Sequence, residues 1–220
     1  MLRLLGWHTR VGEIGVRLFA LNALWLLYTL RGGVVAGVFP ATAAVHAVLR
    51  RDLMRPDDPH REPLRVEFGA AWRAELGSAN VIGYVLTTAW VLLLVEHHVL
   101  TSGGAQGLAA GVAALLWFAA ALLFVLCASV WMLAVHFDEG PLATLRRAAL
   151  LALARPLTAL GAAVVLAVVL CLYYVVPGLV PVFGVAGPAM LTSAQLWRSG
   201  VLPRPAREPR PEPVPAHSHL

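Results

Sequence analysis

Residues 108–135 read LAAGVAALLWFAAALLFVLCASVWMLAV and contain no charged side chain. An α-helix needs about 20 apolar residues to cross the hydrocarbon core of a bilayer, so this stretch predicts a transmembrane helix. The run from Asn80 to Val95 with its flanks, and the run from Leu157 to Val176, are long enough to do the same. The sequence therefore predicts an all-α, polytopic helical membrane protein.

The composition indicates the same class. Apolar residues make up 59% of the 220 residues and charged residues 13%, and the mean hydropathy is +0.74. A soluble domain of this composition would have too few polar groups to cover its surface, so lipid must cover the excess. The net charge of +5 would favour nucleic acid as the partner of a soluble protein. Here the basic residues flank apolar runs, as in proteins anchored beside anionic lipid, so we expect the bilayer as the partner and no nucleic acid.

Three further segments are apolar but short or interrupted. Segments 15–30 and 33–49 are each too short for a comfortable crossing and are separated by Arg31 and two glycines. Segment 178–197 carries no charge but contains prolines, which break or kink helices. Each of the three could cross the membrane or belong to a re-entrant hairpin. The expected fold has about six transmembrane segments, of which four are full spans and two are short, kinked or re-entrant.

The basic residues orient the chain in the membrane. All 17 are arginines, and cytoplasmic loops of membrane proteins are enriched in such residues. In a six-pass arrangement with both termini in the cytoplasm, Arg31 lies outside and Arg17 lies in the first turn of a span, which leaves 15 of the 17 in the cytoplasm. Four passes with two re-entrant hairpins fit the same count, whereas five passes would export an arginine-rich terminus. We expect a multi-pass protein of the bacterial cytoplasmic membrane without a cleaved signal peptide.

Two segments have the pattern of helices that lie in the membrane interface. In the first, Leu64, Phe68, Trp72 and Leu76 recur every four residues with charged residues between them. This spacing predicts a helix with one apolar face. Residues 145–154, which begin with arginines and precede another span, form the second segment. We expect both helices to lie in the headgroup region.

The chain is expected to comprise one membrane domain and one tail. Residues 1–200 hold all the apolar segments and form the predicted helical membrane domain. Residues 201–220 contain repeated Pro with Arg, Glu and His and have no apolar pattern. This composition predicts a disordered cytoplasmic tail.

Two sequence blocks carry a resemblance to a known family. They comprise LNALWLL at 21–27 with FPATAA at 39–44 and the basic pair Arg50 and Arg51, and then FGAAWRAEL at 68–76 with ANVIG at 79–83. These blocks resemble the signature of the YesL-like family of small bacterial integral membrane proteins. The resemblance implies no particular biochemical activity, because none is established for that family. It implies a context, since members often look like companions of carbohydrate-uptake systems.

Four polar residues in or beside the apolar segments are candidate binding residues, namely Asn22, Thr42, His46 and Asn80. A polar side chain in lipid is costly unless it pairs, so Asn22 could bond another helix or bind a ligand. Thr42 could bond a carbonyl that Pro40 leaves free. Thr42 and His46 share a helix face and could line a polar cavity or approach the cytoplasmic interface. Asn80 could cap or orient the span that it opens.

Catalytic and metal-binding patterns are missing from the sequence. Glu96, His97 and His98 have metal-ligand chemistry, but adjacent histidines on one helix point in different directions. No H-E-x-x-H motif, Cys/His quartet, G-x-S-x-G motif or Walker-type glycine loop occurs in the chain, so the common metal, hydrolase and nucleotidase sites are not indicated. The sequence therefore predicts a protein that is not an enzyme and that has no metal or other cofactor.

Two functions fit these features. The first is an integral membrane protein accessory to a carbohydrate-uptake or sensing system, with a membrane protein as its partner. The alternative is a small-solute transporter or channel with a polar site at the broken helices. A transporter needs a water-accessible cavity lined by Asn22, Thr42 and His46, whereas an accessory protein needs a docking surface and no path through the membrane.

Overall fold

The computed structural model describes residues 2–55, 62–102, 109–137 and 139–202, and within them it is helical without a strand. The all-α prediction is thereby confirmed. The helices are α1 (Leu2–Arg31), α2 (Val38–Met54), α3 (Leu64–Ala74), α4 (Leu76–Ser102), α5 (Ala109–His136), α6 (Pro141–Ala154), α7 (Pro156–Val175), α8 (Val180–Phe183) and α9 (Ala186–Arg198), with a 3-10 helix at Pro177–Leu179. The predicted tail beyond residue 202 lies outside the described residues.

Four helices are long and apolar enough to cross a membrane, which confirms the polytopic class. The candidate spans are Gly12–Arg31, Leu76–Ser102, Gly111–His136 and Pro156–Val175. The first extends segment 15–30 at both ends and includes Arg17. The guanidinium of Arg17 is paired with Asp52 of α2 by two contacts of 2.8 Å, which compensates its charge within the span.

The predicted break after α7 is present. Pro177–Phe183 and Ala186–Arg198 are bent by 74° relative to one another. Proline removes a helical N–H and clashes with the preceding turn. Gly184, at the bend, has a φ of +26°, which is a region that a side chain with a Cβ atom rarely adopts. Residues 177–185 therefore form a broken segment, and we use that name for them below.

A tight turn at residues 32–37 reverses the chain, so that α2 packs against α1. Gly33 and Val34 both have positive φ values, 67° and 65°, and the Val34 N–H donates to the Thr29 carbonyl at 2.9 Å. A Cβ atom on Gly37 would overlap the Thr29 carbonyl, so only glycine permits the two helices to approach this closely. At the other end of the hairpin lies the Arg17 and Asp52 pair.

α2 is the central helix of the fold. With 17 residues it is the short segment expected from the sequence, and it packs against α1, α3, α4, α5 and α9. Its buried residues are mostly small, among them Ala41, Ala43 and Ala44. Small side chains let helix backbones approach in a membrane, where dispersion contacts rather than exclusion of water hold helices together.

Two apolar clusters meet at α2. The first cluster joins α1, α2, α3 and α9 around Leu21, Val45 and Phe68, all fully buried. The second joins α4, α5, α6 and α7 around Ile82 and Val130. The Phe39 ring at the start of α2 touches the second group, because it lies against Gly83 and stacks on Trp131 with ring centroids 6.2 Å apart.

The two predicted interfacial helices are present, but the apolar face of α3 is covered by protein. Phe68 is fully buried and Trp72 is 9% exposed, and both rings pack on Tyr28 of α1, with centroids 5.2 and 5.4 Å away. The expectation that this face enters the headgroup region is therefore corrected for these two residues. α6 buries Thr144 and Leu151 and leaves other leucines exposed.

Candidate functional site: a polar cluster at the broken segment

Asn22 is the residue on which the candidate site is built. It lies halfway along the candidate span of α1 and is 9% exposed. Its Nδ2 donates to the Pro181 carbonyl at 2.9 Å and lies 3.5 Å from the Val180 carbonyl. Its Oδ1 accepts from the Val185 N–H at 3.1 Å. One side-chain amide thus satisfies backbone groups on both sides of the bend, where helical hydrogen bonds are interrupted.

Gly184 and Tyr173 complete the contacts around this amide. A Cβ atom on Gly184 would overlap the Asn22 side chain, and the Tyr173 hydroxyl donates to the Gly184 carbonyl at 3.0 Å. Helices α1 and α7 therefore both hold the broken segment. Because Asn22 lies in the middle of a candidate span, a membrane crossed by that span would hold the bonded backbone at the same depth.

Thr42 and His46 are the polar residues of the candidate site that lie on α2. The Trp25 indole N–H donates to Thr42 Oγ1 at 3.0 Å, and that hydroxyl donates to the Val38 carbonyl at 2.8 Å. His46 Nδ1 is 2.9 Å from the Thr42 carbonyl, and because a carbonyl only accepts, Nδ1 carries the proton. His46 is 6% exposed. Trp25 lies one turn after Asn22 on α1. The same face of α1 therefore bonds the broken segment through Asn22 and α2 through Trp25.

Asn80 is separate from these residues. Its Nδ2 donates to the Ala36 carbonyl at 3.1 Å and to the Leu76 carbonyl at 2.8 Å. Pro40 has no N–H with which to bond Ala36, so Asn80 supplies the missing donor. Asn80 does not cap its helix, because α4 already begins at Leu76. The expectation that Asn80 orients α4 fits these bonds, since they tie α4 to the turn before α2.

Sequence reasoning missed Trp25, Tyr173 and Gly184 as members of this cluster. A signal for Trp25 existed, because a tryptophan in an apolar helix needs an acceptor for its N–H. Gly184 gave a weaker signal, since the segment around it is rich in glycine and proline. Tyr173 gave none, because its acceptor is a backbone carbonyl set by the bend.

A second polar contact lies where α2, α5 and α9 end. Arg50 Nε donates to His136 Nδ1 at 3.2 Å, and the His136 ring packs on Trp197 with centroids 6.3 Å apart. Partial burial lowers the pKa of the Arg50 guanidinium. An arginine nevertheless stays protonated in proteins, so His136 Nδ1 acts as the acceptor here.

Metal-ligand side chains do not gather in the part of the chain that the structure describes. No group of three His, Cys, Asp or Glu residues there could hold a metal ion. The His97 ring instead packs edge-on against Trp117, with centroids 5.9 Å apart. Cys127 and Cys171 are free thiols. Asp138, His217 and His219 also have side chains that can bind metals, but they lie outside the described residues.

Comparison with known proteins places the candidate site in a family context. The family model described as "Protein of unknown function, DUF624" matches residues 18–97, which include both sequence blocks noted above. The uncharacterized protein YesV of Bacillus subtilis (strain 168) is 33% identical over 172 residues, or 78% of this chain and 81% of YesV. The uncharacterized protein YteU of the same organism is 34% identical over 42% of this chain and 40% of its own length.

A third relative from that organism, the uncharacterized protein YesL, is 32% identical over 38% of this chain and 39% of its own length. No solved structure matches the chain. The likeness to YesV extends over most of both chains, whereas the other two match over less than half.

Proposed function

We propose, from the premise that the chain belongs to the DUF624 family of proteins of unknown function, that it is a non-enzymatic accessory protein of the bacterial cell membrane. In this proposal it works beside a membrane-protein partner, and the partner is a carbohydrate-uptake or sensing system. Its helices provide a preformed surface for that partner rather than a path for a solute.

The use of the polar side chains is the observation that carries the proposal. Asn22, Thr42, His46 and Asn80 all make hydrogen bonds within the protein. Two of these bonds, from Asn22 to the Pro181 carbonyl and from Asn80 to the Ala36 carbonyl, satisfy groups that a bend or a proline leaves without a helical partner. A binding site for a sugar needs donors and acceptors aimed at the ligand. Here the Asn22 amide, the Thr42 hydroxyl and the Asn80 Nδ2 are already bonded within the protein, whereas Asn80 Oδ1 makes no hydrogen bond to the described residues.

The burial of the cluster supports the same function. Asn22 and His46 are both buried, and the cavities of about 570 and 200 Å³ near the ends of the helices are lined by other residues. A transporter that used the cluster would expose it to water in at least one state. The carbohydrate context rests on the family resemblance, which is why the experiment below tests partner and solute separately.

The test compares uptake in cells with uptake by the purified chain. Cells that lack the chain should accumulate a carbohydrate more slowly, and the wild-type chain should restore the rate. The purified, monodisperse chain in proteoliposomes should take up none of the same sugars. Uptake by the chain alone would overturn the accessory function, and unchanged uptake of every sugar in cells lacking the chain would overturn the carbohydrate context.

The bend of 74° in the broken segment favours one alternative function. Transporters often use interrupted helices near the middle of the membrane to bind ions and solutes, and Asn22 lies at that depth. A small-solute transporter or channel would be active in proteoliposomes without a partner. The same experiment therefore separates the two functions.

A further inference from the structure

A cavity of about 570 Å³ lies between the end of α5 and the inner side of α6. Its lining includes Leu133, Leu150 and Leu151 and also Arg146 and Arg155, both of which are exposed. The volume is within the range of about 300–1,000 Å³ that is usual for small-molecule sites. We call it the α6 pocket.

Two of the arginines that line the α6 pocket have no acidic partner among the described residues. Arg147 is already engaged, because its Nε lies 3.1 Å from Glu139 Oε2, with a second contact to the other carboxylate oxygen. Its guanidinium also lies 3.9 Å from the centre of the Phe137 ring. Among residues 2–55, 62–102, 109–137 and 139–202, the side chains of Arg146 and Arg155 make no ion pair. Within the described part of the chain, the pocket thus offers an anion two guanidinium groups that make no ion pair.

The surface beside these arginines is apolar. Leu142, Leu153 and Leu157 are 73%, 75% and 86% exposed, respectively, and they lie on α6 and at the start of α7. Leucines this exposed are unfavourable in water but favourable among acyl chains at a membrane interface. Leu142 and Leu153 are four and seven residues from Arg146 on α6, spacings that share a helix face, so cationic and apolar surfaces adjoin there.

We propose that the α6 pocket binds the headgroup of an anionic glycerophospholipid, with the phosphate on Arg146 and Arg155 and the acyl chains along the exposed leucines. Guanidinium groups bind phosphate oxygens in pairs of parallel hydrogen bonds. A soluble phosphate would cover the arginines and leave the leucines bare, whereas a phospholipid covers both. The arginine-rich end of the helices is also where the arginine count predicts the cytoplasm, whose membrane surface attracts basic groups through its anionic lipids.

The test uses the full chain, purified in a mild detergent and transferred to nanodiscs of phosphatidylcholine with or without phosphatidylglycerol. Thermal unfolding and the lipids retained in native mass spectrometry are measured. Phosphatidylglycerol should raise the Tm of the wild type and remain bound to it. R146Q/R155Q should bind that lipid at least about tenfold more weakly, because the variant loses the charge-assisted hydrogen bonds from both guanidinium groups to the phosphate.

The matched control is R65Q/R73Q, which removes two exposed arginines from α3, away from the pocket. This control should retain the lipid like the wild type, and an equal loss in both variants would overturn the specific site in favour of general surface charge. If inorganic phosphate raised the Tm as much as phosphatidylglycerol does, the ligand would not be a lipid. If the protein retained phosphatidylcholine as well as phosphatidylglycerol, the pocket would not recognise the negative charge of the lipid. If R146Q/R155Q does not fold, R146K/R155K keeps both charges and should still bind more weakly, because lysine lacks the paired donors.

Discussion

Gly184 leaves free the space that the side-chain amide of Asn22 occupies, although the two residues belong to opposite ends of the chain. A Cβ atom on Gly184 would overlap that amide, and the amide in turn bonds Pro181 O and Val185 N. The bend of the broken segment and the placement of α1 are therefore determined together.

Gly184→Ala should destabilise the protein by about 2 kcal/mol or more, because it adds strain at a positive φ and displaces the Asn22 amide. Thermal unfolding in detergent measures the effect. The matched control is Gly178→Ala in the same segment, where an added Cβ meets no atom within 4 Å. Equal effects of the two substitutions would show that the clash with Asn22 does not matter.

Asn22→Leu should lower the free energy of unfolding by about 1–3 kcal/mol, since the Pro181 carbonyl and the Val185 N–H lose their hydrogen-bond partner. Protein abundance in membranes should fall together with the Tm. Asn22→Ala makes room at position 184, so Gly184→Ala should be less harmful in that background than in the wild type. Strictly additive effects on the unfolding free energy would argue against the contact.

Thr42→Val should leave the Trp25 indole N–H without an acceptor. We expect it to lower the free energy of unfolding by roughly 1 kcal/mol, as is usual for hydrogen bonds between helices in membranes. Thr42→Ser keeps the hydroxyl and should be nearly neutral. In the Trp25→Phe background, Thr42→Val should lower the free energy of unfolding by less than it does in the wild type. A double-mutant cycle measures this difference. Loss of stability by the serine variant would indicate that packing of the threonine methyl matters instead.

Val180→Cys should be protected from a membrane-impermeant thiol reagent, because Asn22 holds the neighbouring backbone at the depth of mid-span. The background lacks Cys127 and Cys171, and Ser102→Cys at the end of α4 is the control that should be labelled on intact cells. Labelling of both positions on intact cells would place the broken segment outside the membrane and favour six complete passes.

Part of the candidate site was predictable from local sequence. A polar Asn22 in an apolar segment must find a partner, and Pro40 must leave a carbonyl without a helical donor. Neither rule names the partner. Asn22 bonds residues near 180, and Ala36 next to the first turn of α2 receives its donor from Asn80, because these pairs depend on which helices lie side by side.

The sequence by itself determined that the protein is a helical membrane protein, where its long apolar helices lie and where the helix after α7 is broken. Hydropathy, segment length and proline act locally along the chain, so these features need no knowledge of distant contacts. Only the tertiary structure decided that α2 is central, that Phe68 and Trp72 face α1 and α2, and that Asn22 meets Gly184. The physical reason is that lipid tails are as apolar as leucine. Apolar residues therefore do not reveal which helix face meets lipid and which meets protein, and that choice depends on small residues and hydrogen bonds between distant segments.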